Sequence, residues 1–203
     1  MAKVPSEAVA DVRRDQMVAA AAQLIAERGF GETRIADVAT RVGASPALVI
    51  YYFGTKDSLL TEALRWSERE FYAAAEAMLA ETPSLTARVE ALVAMTLLPD
   101  LKDGVPADWG LWFDLWAQAF RHPEVKKDRV ALDQQWRDLI IRVVRGGVDA
   151  GEIATLDVET FAVMWGALLD GLVVQVALDD PLVTGERAQQ VALAVARKEL
   201  GLA

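Results

Sequence analysis

The residues best suited to hold a ligand form an aromatic stripe that also carries a carboxylate. Aromatic residues recur at helical spacing in the segment WGLWFDLWAQAF, around one aspartate: Trp109, Trp112, Phe113, Asp114, Trp116 and Phe120. Aromatic faces attract cations, and ammonium groups are commonly held by such rings with a carboxylate nearby. Stripes of this kind more often belong to a hydrophobic core. Core packing is therefore the favoured interpretation, and a cation-binding cavity is the alternative.

Three later residues extend this candidate ligand site: Trp136, Trp165 and Asp170. Asp170 stands in the apolar run LLDGLVV, which would bury its carboxylate on most faces of a helix. A buried carboxylate needs a partner, and an arginine such as Arg142, a backbone amide or a cationic ligand would serve. Internal pairing is the favoured explanation, because buried charges are usually paired within the protein.

A second constellation lies between residues 35 and 56 and has the pattern of a helix-turn-helix. Apolar residues recur at i, i+3, i+4 and i+7, on one face of a short helix: Ile35, Val38, Ala39 and Val42. Thr33 is the expected N-cap of that helix, and Gly43 can take the left-handed conformation that ends it. Ser45 and Pro46 then supply a cap and a first-turn proline for the next helix. An ordinary helical hairpin would share this pattern.

The second helix of such a motif enters the major groove of DNA with its N-terminal residues at the base edges. Free amides and the helix dipole favour phosphate at helix starts. The expected DNA contacts are Thr33, Arg34, Ser45, Pro46, Ala47, Leu48, Tyr51, Tyr52 and Lys56. Apolar side chains at 46–48 cannot form bidentate hydrogen bonds, so we expect readout through thymine methyl groups, tyrosine and DNA shape. Packing within the protein is the other role open to the tyrosines.

These motifs closely resemble the DNA-binding domain of TetR-type transcriptional repressors. Between Arg13 and Leu60 the family's residues occur in the expected order: Gly29-Phe30, Thr33, Ile35, Ala39, Val42-Gly43, Ser45, Phe53, Lys56 and Leu59. The resemblance implies a repressor that binds a palindromic operator as a dimer and responds to a small molecule. A tyrosine whose hydroxyl can reach a phosphate is often found in this family at the position of Ile50. This chain departs from the family there, with Tyr51 and Tyr52 adjacent.

The C-terminal stretch more loosely resembles the choline-responsive BetI-type branch of the same family. The matching residues are Trp112, Trp116, Ala117, His122-Pro123, Trp136, Ala150-Gly151-Glu152-Ile153 and Leu169-Asp170-Gly171-Leu172. The resemblance suggests a subfamily and leaves the ligand open.

Charge is distributed unevenly along the chain. The net charge is −9 over 203 residues, yet residues 1–56 hold seven Lys and Arg against six Asp and Glu. The remaining 147 residues hold 14 against 24 and are therefore strongly acidic. We expect the acidic part to face away from phosphate, and DNA binding to rely on a few placed contacts and on dimerisation.

The residue types argue against catalysis and against a membrane anchor. The chain has no cysteine and one histidine, His122, so a thiolate site is impossible and an enzyme's acid-base set is not evident. We expect no metal and no cofactor. The first residues carry no apolar signal core, and each long apolar segment is interrupted by a polar residue. The expected location is the cytoplasm.

Helical periodicity predicts an all-α fold of about nine helices. A DNA-binding domain of three helices would span residues 1–55, and a helical domain for ligand binding and dimerisation would span residues 56–203, with a long fourth helix joining the two. We expect the last two helices to form the dimer interface, through one apolar face each. These faces carry Phe161, Trp165, Leu168, Leu172, Val176, Ala188, Val191, Ala192 and Val195; packing within one chain is the alternative for them.

The overall prediction is a ligand-responsive regulator whose partners are double-stranded DNA, a small effector for which a cation is one candidate, and a second copy of the chain. A helical interaction protein without specific DNA binding is the alternative, because residues 1–56 are only weakly basic and Ile50 stands where the family often has a tyrosine.

Overall fold

The computed structural model describes residues 7–97, 107–120 and 123–202, and the described residues form nine helices and no strand. The helices are α1 (Glu7–Arg28), α2 (Ile35–Arg41), α3 (Pro46–Phe53), α4 (Lys56–Glu81), α5 (Leu85–Leu97), α6 (Ala107–Ala119), α7 (Pro123–Asp149), α8 (Val158–Ala177) and α9 (Gly185–Leu200). The predicted all-α architecture is confirmed. The predicted loop at 103–106 and the lone His122 lie outside the described residues.

The chain divides into two compact units that differ from the predicted domains. The first unit comprises Met1–Phe71 and Ala107–Lys126, and the second comprises Tyr72–Pro106 and Lys127–Ala203. The sequence boundary at residue 55 therefore does not coincide with this division. Helix α6 lies in the same unit as α1–α3 because it packs on α1, although it is distant along the chain. Helix α4 is divided between the two units.

The core of the first unit is built from one face of each of its first four helices. Its fully buried residues include Met17, Ala21, Leu24 and Ile25 of α1, Val38 and Ala39 of α2, Val49 and Phe53 of α3, and Leu59, Leu60 and Ala63 of α4. Val49 and Phe53 of α3 are four residues apart, as a helix with one buried face requires. Val49 and Phe53 anchor α3 in this core.

The turn between α2 and α3 follows the predicted chemistry, with one correction. Gly43 adopts a left-handed conformation with φ of +61°, and the Ser45 hydroxyl accepts a hydrogen bond from the Leu48 backbone N–H at 3.2 Å. The prediction that Thr33 caps α2 is wrong. Arg34 occupies the N-cap position, where its backbone N–H donates to the Asp37 carboxylate at 3.0 Å.

Helix α6 crosses α1 closely within the first unit. A Cβ added at Gly110 would lie 3.2 Å from the Ala26 backbone carbonyl oxygen, so a larger residue there would push the helices apart. One turn further along α6, the Asp114 carboxylate accepts a hydrogen bond from the Phe30 backbone N–H at 2.5 Å. Asp114 thus joins α6 to the loop that follows α1.

The second unit is organised around α8. Trp165 is fully buried, stacks on Phe161 with ring centroids 5.6 Å apart, and donates from Nε1 to the Ala192 carbonyl oxygen of α9 at 3.1 Å. Leu85, the first residue of α5, donates its backbone N–H to the Glu152 carboxylate at 2.8 Å. The first contact joins α9 to α8, and the second joins α5 to the segment between α7 and α8.

The predicted dimer face of α8 and α9 is largely used inside the chain. Phe161, Trp165, Leu172, Ala188 and Ala192 are all buried within the second unit, so the alternative of packing within one chain applies to them. The other side of α8 exposes Val163 and Met164. Within the described part of the chain, α8 is also the one helix long and apolar enough to cross a membrane. Because its buried side forms a protein core, this feature is weak evidence for a membrane span.

Candidate functional site

Helix α3 presents its N-terminal end and one side to solvent. Ser45, Pro46 and Ala47 are exposed at its start, and Tyr51 is 82% exposed one turn later. Because Ser45 caps the helix through its own hydroxyl, the exposed start has a fixed backbone conformation. This is the surface that a recognition helix would bring to the major groove.

Two residues predicted to contact bases are less exposed to solvent than the start of α3. Leu48 and Tyr52 are half-buried and pack against the core of the first unit. The Tyr52 ring lies edge-on to the Tyr51 ring, with centroids 5.6 Å apart. Tyr52 therefore serves partly as the packing residue that the sequence left open, whereas Tyr51 projects from the unit.

Ile50 is the residue on this surface that the sequence reasoning did not place among the contacts. It is 50% exposed, between Ala47 and Tyr51 on the open side of α3. Helical spacing from the buried Val49 and Phe53 carries the signal, because a residue one position after a buried one turns about 100° away from the core. Ile50 extends the apolar character of the exposed surface.

The predicted phosphate contacts of the first unit have different surroundings. Thr33 is 1% exposed and its hydroxyl donates to the Gly29 carbonyl oxygen at 2.9 Å, so that hydroxyl does not face a phosphate. Arg34 is exposed. The Lys56 ammonium donates to the Gly31 carbonyl oxygen at 3.1 Å and lies 5.2 Å from the centre of the Phe30 ring. Lys56 thus holds the α1–α2 loop, and an ammonium has two further protons to donate.

Two arginines near the motif are engaged in ion pairs. The Arg41 guanidinium makes a bidentate pair with Glu27, at 2.7 and 2.8 Å, and these hydrogen bonds lower the pKa of Glu27. Arg14 pairs with Glu62 and lies over the Phe53 ring at 5.3 Å from its centre. Both pairs join neighbouring helices of the first unit.

The aromatic residues of α6 divide between core and surface. Trp109 is buried, whereas Trp112, Phe113 and Trp116 are half-buried. The rings of Phe113 and Trp116 meet edge to face, with centroids 5.8 Å apart. Core packing thus accounts for Trp109, and the half-buried rings stay candidates for a ligand site.

Asp114 has a partner within its own unit. Its carboxylate accepts the Phe30 backbone N–H, and a Cβ on Gly29 would lie 3.4 Å from the same oxygen. In the sequence alone, Asp114 indicates only the counter-charge of a ligand. A bond between residues 84 positions apart carries no signal in helical periodicity, so the sequence offered no means to find it.

The second unit holds the remaining candidate ligand residues: Trp136, Trp165 and Asp170. Trp165 is a core residue whose indole N–H is used by α9. A Cβ on Gly166 would lie 3.4 Å from the Trp136 indole nitrogen, so α7 and α8 approach closely there. Asp170 follows Gly166 by one turn on α8.

The surroundings of Asp170 raise its pKa to about 6. Burial is the main cause, the negative charge of Asp133 adds to it, and the positive charge of Arg129 opposes it. Asp133 and Arg129 are themselves paired at 3.1 Å along α7. The prediction of Arg142 as partner of Asp170 is wrong, because Arg142 is exposed and pairs with Glu76 at 2.7 Å. Within the described ranges, no group of three acidic, His or Cys side chains is placed to hold a metal ion.

Both halves of the chain match known protein families. Residues 17–63 match the family of bacterial regulatory proteins described as tetR, and residues 83–201 match the C-terminal domain of the BetI-type transcriptional repressor. The regulator BetI of Burkholderia thailandensis is 31% identical over 125 residues, which cover 61% of this chain and 63% of that protein, less than two thirds of its length. BetI of Rhizobium meliloti is 27% identical over 175 residues, covering 86% of this chain and 83% of the relative.

Solved structures agree with these matches. A transcriptional regulator from Saccharomonospora viridis, determined in complex with choline, has a TM-score of 0.81 and 26% identity, covering 93% of this chain and 96% of that one. A TetR-family regulator from a Rhodococcus species has a TM-score of 0.78 and 26% identity, covering 94% of this chain and 99% of that one.

Proposed function

This chain belongs to the TetR family of transcriptional regulators, with a BetI-type C-terminal domain, and from that premise we propose that it is a repressor released by a small cationic effector. Two copies of the chain bind an inverted-repeat operator through their first units. Effector binding favours a distance between the two first units that does not match successive major grooves. Operator affinity then falls by population shift. The protein acts in the cytoplasm, where its DNA is found.

The exposed start of α3 is the observation that carries the proposal. Ser45, Pro46, Ala47 and Tyr51 form one open surface on a helix that Val49 and Phe53 anchor from behind. Helix-turn-helix proteins place this part of the second helix in the major groove. The apolar side chains read thymine methyl groups and groove shape, and Tyr51 supplies one hydroxyl. Arg34 and Lys56 contact phosphates beside the groove.

Selection of bound duplexes from a random DNA pool, followed by sequencing, tests the proposal directly. We expect an inverted repeat whose affinity falls as salt rises, because phosphate binding releases counterions. Lys56→Ala weakens binding to all sequences, whereas Ala47→Ser changes the preference among them. Equal losses at all sequences for both variants would contradict this division of roles. Absence of any enriched sequence favours the interaction protein, for which exposed Ile50 and Tyr51 would be the binding surface.

Dimerisation uses the side of α8 that the chain leaves exposed. Val163 is 58% exposed and Met164 is also exposed, on the face opposite the buried Phe161 and Trp165. One helix-turn-helix reads too few base pairs to find a site in a genome, so a twofold dimer is needed. A second copy of the same face would cover these side chains, in the isologous arrangement of twofold dimers.

Val163→Lys tests this interface against a matched control. Val130 of α7 is 56% exposed, so Val130→Lys places the same charge at an equally open position. We expect light scattering after gel filtration to give a monomer for Val163→Lys and a dimer for Val130→Lys. Dimers from both variants would place the interface elsewhere.

The effector is a cation, with choline as the first compound to test. A carboxylate beside aromatic rings suits a quaternary ammonium group, and the Saccharomonospora viridis relative was determined with choline. Two candidate sites are proposed, one within each unit: Asp170 and Trp136 in the second unit, and Trp112, Phe113 and Trp116 of α6 in the first. Titration of choline into the protein bound to its selected duplex is expected to release the DNA; unchanged DNA affinity and half-site spacing with bound choline would refute the mechanism.

A further inference from the structure

We propose that Asp114 of α6 is a positioning residue for operator binding, because its carboxylate holds the loop that precedes the helix-turn-helix. This inference rests on the proposed function, and it assigns Asp114 to the control of the head instead of to direct ligand contact. Its basis is the hydrogen bond from the Phe30 backbone N–H to Asp114 Oδ2 at 2.5 Å. The two residues are 84 positions apart and lie in one compact unit.

The loop that Asp114 contacts leads directly into α2. Gly29, which follows α1, adopts φ of +84°, and its carbonyl oxygen accepts both the Thr33 backbone N–H at 3.2 Å and the Thr33 hydroxyl at 2.9 Å. Thr33 immediately precedes the N-cap of α2. Displacement of the Phe30 amide therefore moves the first residues of the motif.

The same loop is held from its other side by the start of α4. The Lys56 ammonium donates to the Gly31 carbonyl oxygen at 3.1 Å and lies over the Phe30 ring. Lys56 follows the end of α3 by three residues. The three-residue loop 29–31 thus connects α6, through Asp114, to both ends of the motif: the start of α2 and the segment after α3.

The position of α6 on α1 fixes where the carboxylate falls. Gly110 and Ala26 are in close approach, and Asp114 and Phe30 follow each of them by four residues. A shift of α6 along α1 cannot keep both contacts. Phe113 precedes Asp114 directly, and Trp112 and Trp116 lie within two positions. Occupation of these rings by a cation would therefore displace the same turn of α6 that holds the loop.

The inference is tested with three variants of the full chain: Asp114→Ala, Asp114→Asn and, one turn further along α6, Gln118→Ala as the matched control. Hydrogen exchange of the free protein is measured first, together with the urea midpoint. We expect faster exchange in residues 29–34 for Asp114→Ala and not for Gln118→Ala. Asp114→Asn keeps an acceptor without the charge and should fall between, since charge-assisted bonds are about twice as strong.

Affinity for the selected duplex is measured next, with and without choline chloride. Asp114→Ala should bind the duplex about ten-fold more weakly, the loss expected for one hydrogen bond to a charged group. Choline should change the affinity of this variant less than that of wild type, while Gln118→Ala responds as wild type does. A purely structural role would lower the urea midpoint and leave the response to choline intact.

The outcomes separate this inference from the proposed function. Wild type that selects no duplex refutes the proposed function, and the operator role of Asp114 falls with it. Wild type that binds and responds, with Asp114→Ala equal to Gln118→Ala in exchange, affinity and response, overturns the inference alone.

Discussion

Asp170→Asn is expected to stabilise this protein at neutral pH and to lose that advantage in acid. Burial raises the pKa of Asp170 to about 6 from its ordinary value of 3.8, with help from the charge of Asp133 and opposition from Arg129. A raised pKa means that the folded state disfavours the ionised carboxylate. Asparagine has nearly the same shape and carries no charge at any pH.

The size of the effect follows from linkage between protonation and folding. Below about pH 4 Asp170 is protonated in both the folded and the unfolded state, so its raised pKa makes its full contribution to the free energy of unfolding. That contribution is lost as pH rises to about 6, and it stays lost above. Each pH unit between the two pKa values corresponds to about 1.4 kcal/mol, so the free energy of unfolding falls by about 3 kcal/mol across the window.

Urea unfolding of wild type and Asp170→Asn at pH 4.5, 5.5, 6.5 and 7.5 measures this difference, because the other carboxylates titrate alike in both proteins. We expect Asp170→Asn to be more stable by about 3 kcal/mol at pH 7.5 and by only about 1 kcal/mol at pH 4.5, which lies inside the window. Asp133→Asn removes a like charge and should shift the window to lower pH. A difference independent of pH, or a less stable Asp170→Asn at pH 7.5, would refute the reasoning.

Three further predictions concern the effector and the helices. Choline affinity, measured by calorimetry, should fall about ten-fold between pH 7 and pH 5, because Asp170 must be ionised to attract the cation, and Asp170→Asn should show no such change. Gly147→Ala should lower the free energy of unfolding by about 1–3 kcal/mol, since its Cβ would lie 2.4 Å from Leu85 Cδ2; Gly146→Ala, with only an Arg88 nitrogen at 3.6 Å, should not. Ser45→Ala should cost about 1 kcal/mol in urea unfolding by removing the cap of α3.

Helical periodicity and capping residues predicted most of the fold. The stop at Gly43, the cap at Ser45 and the anchors Val49 and Phe53 are local features, and each depends on residues within one or two turns. Local rules failed at the start of α2, where two neighbouring residues could each occupy the N-cap position. Thr33 has the right side chain to cap α2, but its hydroxyl is used by Gly29, and Arg34 takes the cap position.

The division into units and the partners of charged residues could not be predicted from spacing. The packing of α6 on α1 depends on Gly110 meeting Ala26, which no period within α6 encodes. Arg142 is one of the partners that the sequence leaves open for Asp170, yet its side chain reaches Glu76 of α4. Which face of a helix meets which neighbour is a property of tertiary packing. Likewise, the sequence identifies the apolar face of α8 and leaves open whether it packs within the chain, as its buried residues do, or against a second copy.

Most of the Lys and Arg residues in 1–56 have partners within the first unit, so DNA binding depends on geometry more than on charge. Residues 1–56 hold seven Lys and Arg, and four of these already have partners in the first unit: Arg14 with Glu62, Arg28 with Asp37, Arg41 with Glu27 and Lys56 with Gly31. A head with so little free positive charge has a weak sequence-independent attraction for phosphate. In the proposed dimer, specific binding comes from two first units whose α3 helices fit successive grooves together. Under that proposal, a small change in the loop at residues 29–31 suffices for release, because little nonspecific attraction remains to hold a misaligned dimer on DNA.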